Sequence, residues 1–306
     1  MSYVRPNGRT ALYGGSLMRV FLFGAGYSAQ AFAQRMTGEA ERIDGTTRHE
    51  QKFPLLEKAG IKPMLFDGET PSPDLLDRLA QSTHVVVSIS PGESGDPAVA
   101  VVEEALRRPD NTIRWIGYLS TVGVYGDHQG QWVDETAPCK PASRRSLERV
   151  EAEEAWGQLS ERHGTPLAIL RLSGIYGPGR NAFINLERGT ARRIIKDNQV
   201  FNRIHVDDIA GSLRFLAGTN TGGIFNITDN EPSPPQDVVT YAAELMGVTP
   251  PPEVPFAEAD MTPMARSFYG ENKRVSNQRI RDLGYEFAYP DYETAFSAMW
   301  RDDSWH

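Results

Sequence analysis

Short apolar runs of strand length alternate, through the first half of the chain, with stretches whose apolar residues fall on one helical face. Arg19 to Phe23 reads as a first buried strand. Gln30 to Met36, with Phe32, Ala33 and Met36 on one face, reads as the helix behind it. Further strands are expected at Arg42 to Thr46, Lys62 to Phe66, His84 to Ile89, Ile113 to Leu119 and Leu167 to Leu172. Apolar runs of strand length that alternate with helical patterns predict an α/β fold, in which a parallel sheet is wrapped by helices. Beyond Tyr176 the rhythm breaks. Pro and Gly cluster at Gly177-Pro178-Gly179, at Glu231 to Pro235 and at Thr249 to Pro255. The expected organisation is a loose extension over 1–17, a main domain over 18–176 and a smaller lobe mainly over 177–306. A stretch at about 203–215 is expected to return to the main domain.

Composition narrows the partners. The 40 acidic against 32 basic side chains give a formal net charge of -8 across 306 residues. No broad basic face arises from such a balance, which argues against nucleic acid and against an anionic membrane surface. No stretch reaches the roughly 20 apolar residues that span a bilayer. The segment over 1–17 is polar, lacks the apolar run of a secretory signal and leaves Met18 as a candidate natural start. A single cysteine, Cys139, rules out an internal disulfide, fits a reducing cytoplasm and reads as a loop thiol. The six histidines are scattered and none is spaced for a metal, so no metal site is expected. Asp207-Asp208 reads as structural or capping, and Arg192-Arg193 as a solvated helix face.

The chemistry begins at Phe23-Gly24-Ala25-Gly26-Tyr27-Ser28-Ala29, directly after the first strand and opening a helix. Gly24 permits a tight turn, Gly26 removes a side chain where a pyrophosphate must approach, and Ala29 lets helix and strand pack closely. Amides at the helix start, including those of Tyr27 and Ser28, then face the phosphates along a favourable dipole. A nicotinamide dinucleotide is therefore expected. The tip of the second strand selects between its forms. An NAD site usually places a carboxylate there for the ribose 2′-hydroxyl. Asp44 has roughly the right distance but lies within the strand, and the tip falls at Thr47 and Arg48. A guanidinium there pairs with a 2′-phosphate, so NADP(H) is expected ahead of NAD(H).

Four further segments have a joint order and spacing that resemble the extended short-chain dehydrogenase/reductases, the family of epimerases and dehydratases. They are Leu119-Ser120-Thr121-Val122-Gly123-Val124-Tyr125-Gly126, Asp134-Glu135-Thr136-Ala137-Pro138, Arg171 to Gly179 and Ile204 to Ala210. The resemblance implies a Rossmann-type doubly wound parallel sheet with a smaller C-terminal substrate lobe. It also implies Asp67 near the adenine, Ser88 and Ser90 beside the cofactor, and Thr121 as the catalytic hydroxyl. A small-molecule substrate such as a sugar nucleotide, and a homodimer, rest on the resemblance alone.

The helix that should carry the family's Tyr-x-x-x-Lys pair departs from the pattern. No Tyr occurs between Tyr125 and Tyr176, and Lys140 is the only Lys in that interval. The match puts Arg145 near the Tyr position and Arg149 near the Lys position. An arginine stays protonated and cannot replace a phenol as acid/base, but it can hold a ribose or an anionic substrate. Tyr125, Tyr176 and His205 are candidates to supply the missing acid/base, Tyr125 foremost. Two functions follow: an NADP(H)-dependent oxidoreductase or epimerase-like enzyme with an unusual acid/base, or an NADP(H)-binding regulator or scaffold without turnover.

Overall fold

In the first strand, β1 (Met18–Phe23), successive side chains point to opposite sides of the sheet, and each side meets its own set of helices. Val20 and Leu22 enter one core cluster, whereas Phe21 and Phe23 enter another. The computed structural model describes residues 18–306, so the expected extension over 1–17 lies outside the described residues.

From β1 the chain runs through α1 (Tyr27–Arg35), β2 (Ala40–Thr47), α2 (Phe53–Lys58), β3 (Lys62–Leu65), α3 (Pro73–Ala80) and β4 (His84–Val87). It continues through α4 (Pro97–Leu106), β5 (Trp115–Thr121), β6 (Trp132–Val133), α5 (Arg144–His163) and β7 (Leu167–Leu172). After β7 come β8 (Gly174–Tyr176), α6 (Ala182–Glu187), β9 (Arg193–Ile195), β10 (Arg203–His205), α7 (Val206–Thr219) and β11 (Gly223–Ile227). The remainder is α8 (Pro235–Met246), β12 (Glu253–Pro255), α9 (Pro263–Phe268), β13 (Arg274–Val275), α10 (Gln278–Asp282) and α11 (Tyr292–Arg301).

Seven strands form one parallel sheet in the order β11-β7-β5-β4-β1-β2-β3. Strand order reverses between β1 and β4, which is where doubly wound sheets open a crevice at their carboxyl ends. One face packs α1 and α7 through Phe32, Ala33, Leu213 and Leu216. The other packs α3, α4 and α5 through Leu79, Val102, Trp156 and Leu159. The fold is the expected α/β Rossmann type.

The return of the C-terminal half to the main sheet extends beyond 203–215. It includes all of α7 and also β11, which pairs in register with β7 from Gly223↔Ala168 to Ile227↔Leu172. Three small parallel pairs, β8 with β10, β9 with β12 and β6 with β13, lie apart from this sheet. A separate core of Tyr176, Phe183, Val238, Tyr292 and Phe296 joins α6, α8 and α11. Among the described residues no helix is long and apolar enough to cross a membrane.

Candidate functional site

Backbone geometry makes the glycine turn. Gly24 has φ +84°, and a Cβ there would lie 2.7 Å from Ile89 Cγ2, so a side chain is excluded twice over. Thr46 Oγ1 accepts from Gly24 N at 2.8 Å, and Thr46 O from Ala25 N at 2.8 Å. On the other flank Ser88 Oγ donates to Gly24 O at 2.5 Å. The turn is thus clamped between the ends of β2 and β4. Gly26 caps α1 with no side-chain bond, and the first intrahelical bond runs from Gln30 N to Gly26 O at 2.9 Å. The amides of Tyr27, Ser28 and Ala29 precede that bond and point out of the helix start. A Cβ on Gly26 would meet no protein atom within 4 Å. The position therefore faces a cleft rather than the core.

That cleft has a volume of about 340 Å³, within the range of small-molecule sites. It runs from Gly24 and Gly26 past Ser88 and Ser90 on one side and Thr47, Arg48 and Asp67 on the other. Ala25, Thr46, His49, Lys52, Phe66 and Ile89 also line it. Two of these are further cations or potential cations near Arg48 that sequence reasoning missed. Lys52 ends the single turn Glu50–Lys52, which folds it back toward the strand tip. Asp44 is fully buried inside β2, ion-paired with Arg42 at 2.5 Å, and is not part of the cleft wall. Burial raises its carboxyl above the ordinary range, against the pull of Arg42. An uncapped helix start, a turn open to a ligand at Gly26 and cationic groups at the β2 tip together fit a dinucleotide. Tyr27 leans away from the cleft floor, its hydroxyl donating to Pro178 O at 2.9 Å. Burial pushes that phenol up to about 12 despite nearby Arg180.

At the other end of the cleft, Arg149 from α5 joins Ser90 to β5. Its Nη2 donates to Ser90 Oγ at 3.2 Å, and Nη1 to Leu119 O at 2.7 Å and Tyr118 Oη at 3.2 Å. Thr121, at the end of β5, accepts from Gly123 N at 3.1 Å, and its hydroxyl donates to no acceptor among the described residues. One turn earlier on α5, exposed Arg145 directs Nη1 to Met264 Sδ of α9 at 3.7 Å. Neither Arg145 nor Arg149 forms an ion pair among the described residues, whereas Arg144 beside them pairs with Glu93 and Glu148.

The three residues considered as substitute acid/base groups point elsewhere. Tyr125 is wholly buried, and its hydroxyl donates to Asn226 Oδ1 at 2.7 Å. Burial raises that phenol above its ordinary value. Tyr176 stacks on Phe296, and burial raises its phenol strongly. His205 packs between Tyr176 and Tyr289, and its Nδ1 accepts from Asp207 N at 3.2 Å. Burial lowers its imidazole to about 4, so it is neutral near pH 7. None of the three lines the dinucleotide cleft. Tyr125 instead covers a buried ion pair that the sequence did not disclose. Arg171 Nη2 donates to Glu153 Oε2 at 2.6 Å, Ser120 Oγ donates to Glu153 Oε1 at 2.5 Å, and the guanidinium lies 4.8 Å from the Tyr125 ring centre. Cys139 Sγ accepts from the same Arg171, and burial raises its thiol. Asp208 accepts from Ala288 N, Tyr289 N and Tyr285 Oη, a structural tie between α7 and the segment before α11. Arg193 pairs with Glu253 at 2.6 Å.

A parallel sheet with a glycine turn and an uncapped helix at its switch point defines a Rossmann-type dinucleotide-binding protein. The chain belongs to the NAD dependent epimerase/dehydratase family, which it matches over residues 20–228. It is 28% identical over 289 residues to Protein YeeZ of Escherichia coli K12, covering 90% of this chain and 97% of that protein. Among solved structures it is similar to a functionally unknown conserved protein from Silicibacter pomeroyi DSS, with 44% identity and a TM-score of 0.84. That match covers 94% of this chain and 99% of the other. The human epimerase family protein SDR39U1, solved with NADPH, shares the fold at 17% identity and a TM-score of 0.72, over 93% of this chain and 100% of that one.

Proposed function

We propose that the protein is an NADP(H)-dependent oxidoreductase or epimerase-like enzyme acting on an anionic small molecule, with sugar nucleotides one candidate class. In this reading residues 18–176 hold the cofactor and 177–306 mainly the substrate. The observation that carries the cofactor choice is the β2 tip, where Thr47, Arg48, His49 and Lys52 line the cleft and the strand's own carboxylate, Asp44, is sealed inside it. Guanidinium and ammonium groups there suit a 2′-phosphate, and among the described residues β2 itself brings no carboxylate to the cleft wall.

A nicotinamide dinucleotide held in this cleft would supply hydride-transfer chemistry. Thr121 Oγ1 donates its proton as a hydrogen bond to the substrate oxygen as that atom gains charge. Arg149, bonded to Leu119 O and Ser90 Oγ beside the cleft, would hold the ribose of that group. Arg145 draws the anionic substrate toward the crevice but, being always protonated, moves no proton.

A second reading, an NADP(H)-binding regulator without turnover, is favoured by one observation: Tyr125, Tyr176 and His205 are all buried and outside the cleft. A dinucleotide titration followed by a turnover screen against sugar nucleotides, aldehydes and ketones separates the two. Turnover of any member supports the enzyme. Tight binding with no turnover across the panel supports the regulator, and failure to bind any dinucleotide contradicts both.

A further inference from the structure

A second cavity of about 340 Å³ lies in the C-terminal lobe and shares no lining residue with the dinucleotide cleft. Its walls differ in chemistry. Ile184 of α6, Val238 of α8 and Phe296 of α11 form an apolar side. Three guanidinium groups, from Arg180, Arg188 and Arg203, contribute the other.

Charge accounting at these arginines is unusual for a chain with a net charge of -8. Arg180 and Arg188 are exposed and form no ion pair among the described residues. Arg203 is tied into the wall, its Nη1 donating to Ser233 Oγ at 2.7 Å and to the carbonyls of Phe201 and Ser233. The acid facing it is Asp229, whose carboxyl is driven well above the ordinary range by burial. Burial likewise lowers the guanidinium of Arg203 from its ordinary value, against the pull of Asp229. A separate observation points to a ligand. Tyr176 belongs to the cavity wall and is 7% exposed, yet its hydroxyl has no hydrogen-bond partner. Buried hydroxyls are normally bonded, and a donor left without an acceptor destabilises the fold.

We infer that this cavity binds a small molecule carrying a phosphate or carboxylate head on an apolar body. The head lies between Arg180 and Arg188, where planar guanidinium forks match its oxygens. The body lies against Phe296 and Val238. The inference is independent of the dinucleotide assignment, because the two cavities have separate walls.

Phenyl phosphate and benzoate, titrated calorimetrically into the full chain, test it and separate the two head groups. At least one should bind at one site per chain. Arg188→Ala, a change at an exposed residue, should weaken that binding at least tenfold, and Tyr176→Phe should weaken it severalfold with unchanged circular dichroism. Arg48→Ala should leave it unaltered. Binding lost in Arg48→Ala but retained in Arg188→Ala would put the anion in the dinucleotide cleft and overturn the proposal. Absence of binding by both probes at millimolar concentration would overturn it as well.

Discussion

Space at single positions decides what the glycine turn tolerates. Gly24 is bound by its positive φ and by Ile89, so any side chain there disturbs the fold. Gly26 is different: a Cβ would project into the cleft without touching protein. Gly26→Val should therefore leave the fold and thermal unfolding nearly unchanged while abolishing dinucleotide binding. Retained affinity in the folded variant would show that the turn is only a turn. Thr121→Val keeps the shape of the side chain and removes its hydroxyl. On a verified substrate, kcat and kcat/KM should fall together with NADPH affinity nearly constant, as for an interaction made in the transition state. Unaltered turnover would remove Thr121 from the chemistry. The place of Gly26 in the cleft wall was legible from its position between strand and helix, whereas the role of Thr121 rests on resemblance. Lys52 was not, because its approach to the cleft depends on how the turn Glu50–Lys52 folds back. The burial of Tyr125 was hidden for the same reason: only packing shows that its hydroxyl is committed to Asn226.

Elements are held to one another by a few buried polar ties. Arg171 on β7 and Glu153 on α5 fix the helix that carries Arg145 and Arg149 against the sheet. Arg171→Met leaves Glu153 buried without its partner, which should destabilise the fold by about 3–5 kcal/mol in urea unfolding. A loss under about 1 kcal/mol would mean that the pair is not needed to hold α5. His84 ties β4 to the end of α7, its Nε2 lying 3.2 Å from Ala217 O and 3.1 Å from Asn220 Oδ1. Burial lowers this imidazole from 6.5 to about 4. Above 6.5 it is neutral in folded and unfolded chains alike, and its contribution is complete. As pH falls from about 6.5 toward 4, only the unfolded chain takes up the proton, so stability declines. The melting temperature of His84→Gln should accordingly decline less than that of the wild type between about pH 7 and about pH 4.5. Equal slopes would contradict the assignment. Sequence reading located β1, β4 and β7 well because each carries a short run of apolar residues. It missed β11, an edge strand that lies after the rhythm breaks and is defined by its pairing with β7.

At the scale of the whole molecule, the β1/β4 switch point brings together segments far apart in sequence: the glycine turn, the β2 tip, Ser88 and Ser90, and Arg149 from α5. A parallel sheet covered by helices was readable from alternation, and its doubly wound order was implied by the family resemblance. How far the C-terminal half returns to the sheet was not, since it depends on α7 packing on α1 and on β11 closing the edge. The central claim, that this cleft selects NADP(H) through the β2 tip, is tested most directly by titrating the wild type and Arg48→Ala with NADPH and with NADH. The account predicts that the wild type prefers NADPH. It also predicts that Arg48→Ala weakens NADPH by roughly 1.5–3 kcal/mol, the cost of a lost charged hydrogen bond, with NADH little affected. A wild type that prefers NADH, or a variant that weakens both cofactors equally, would contradict it.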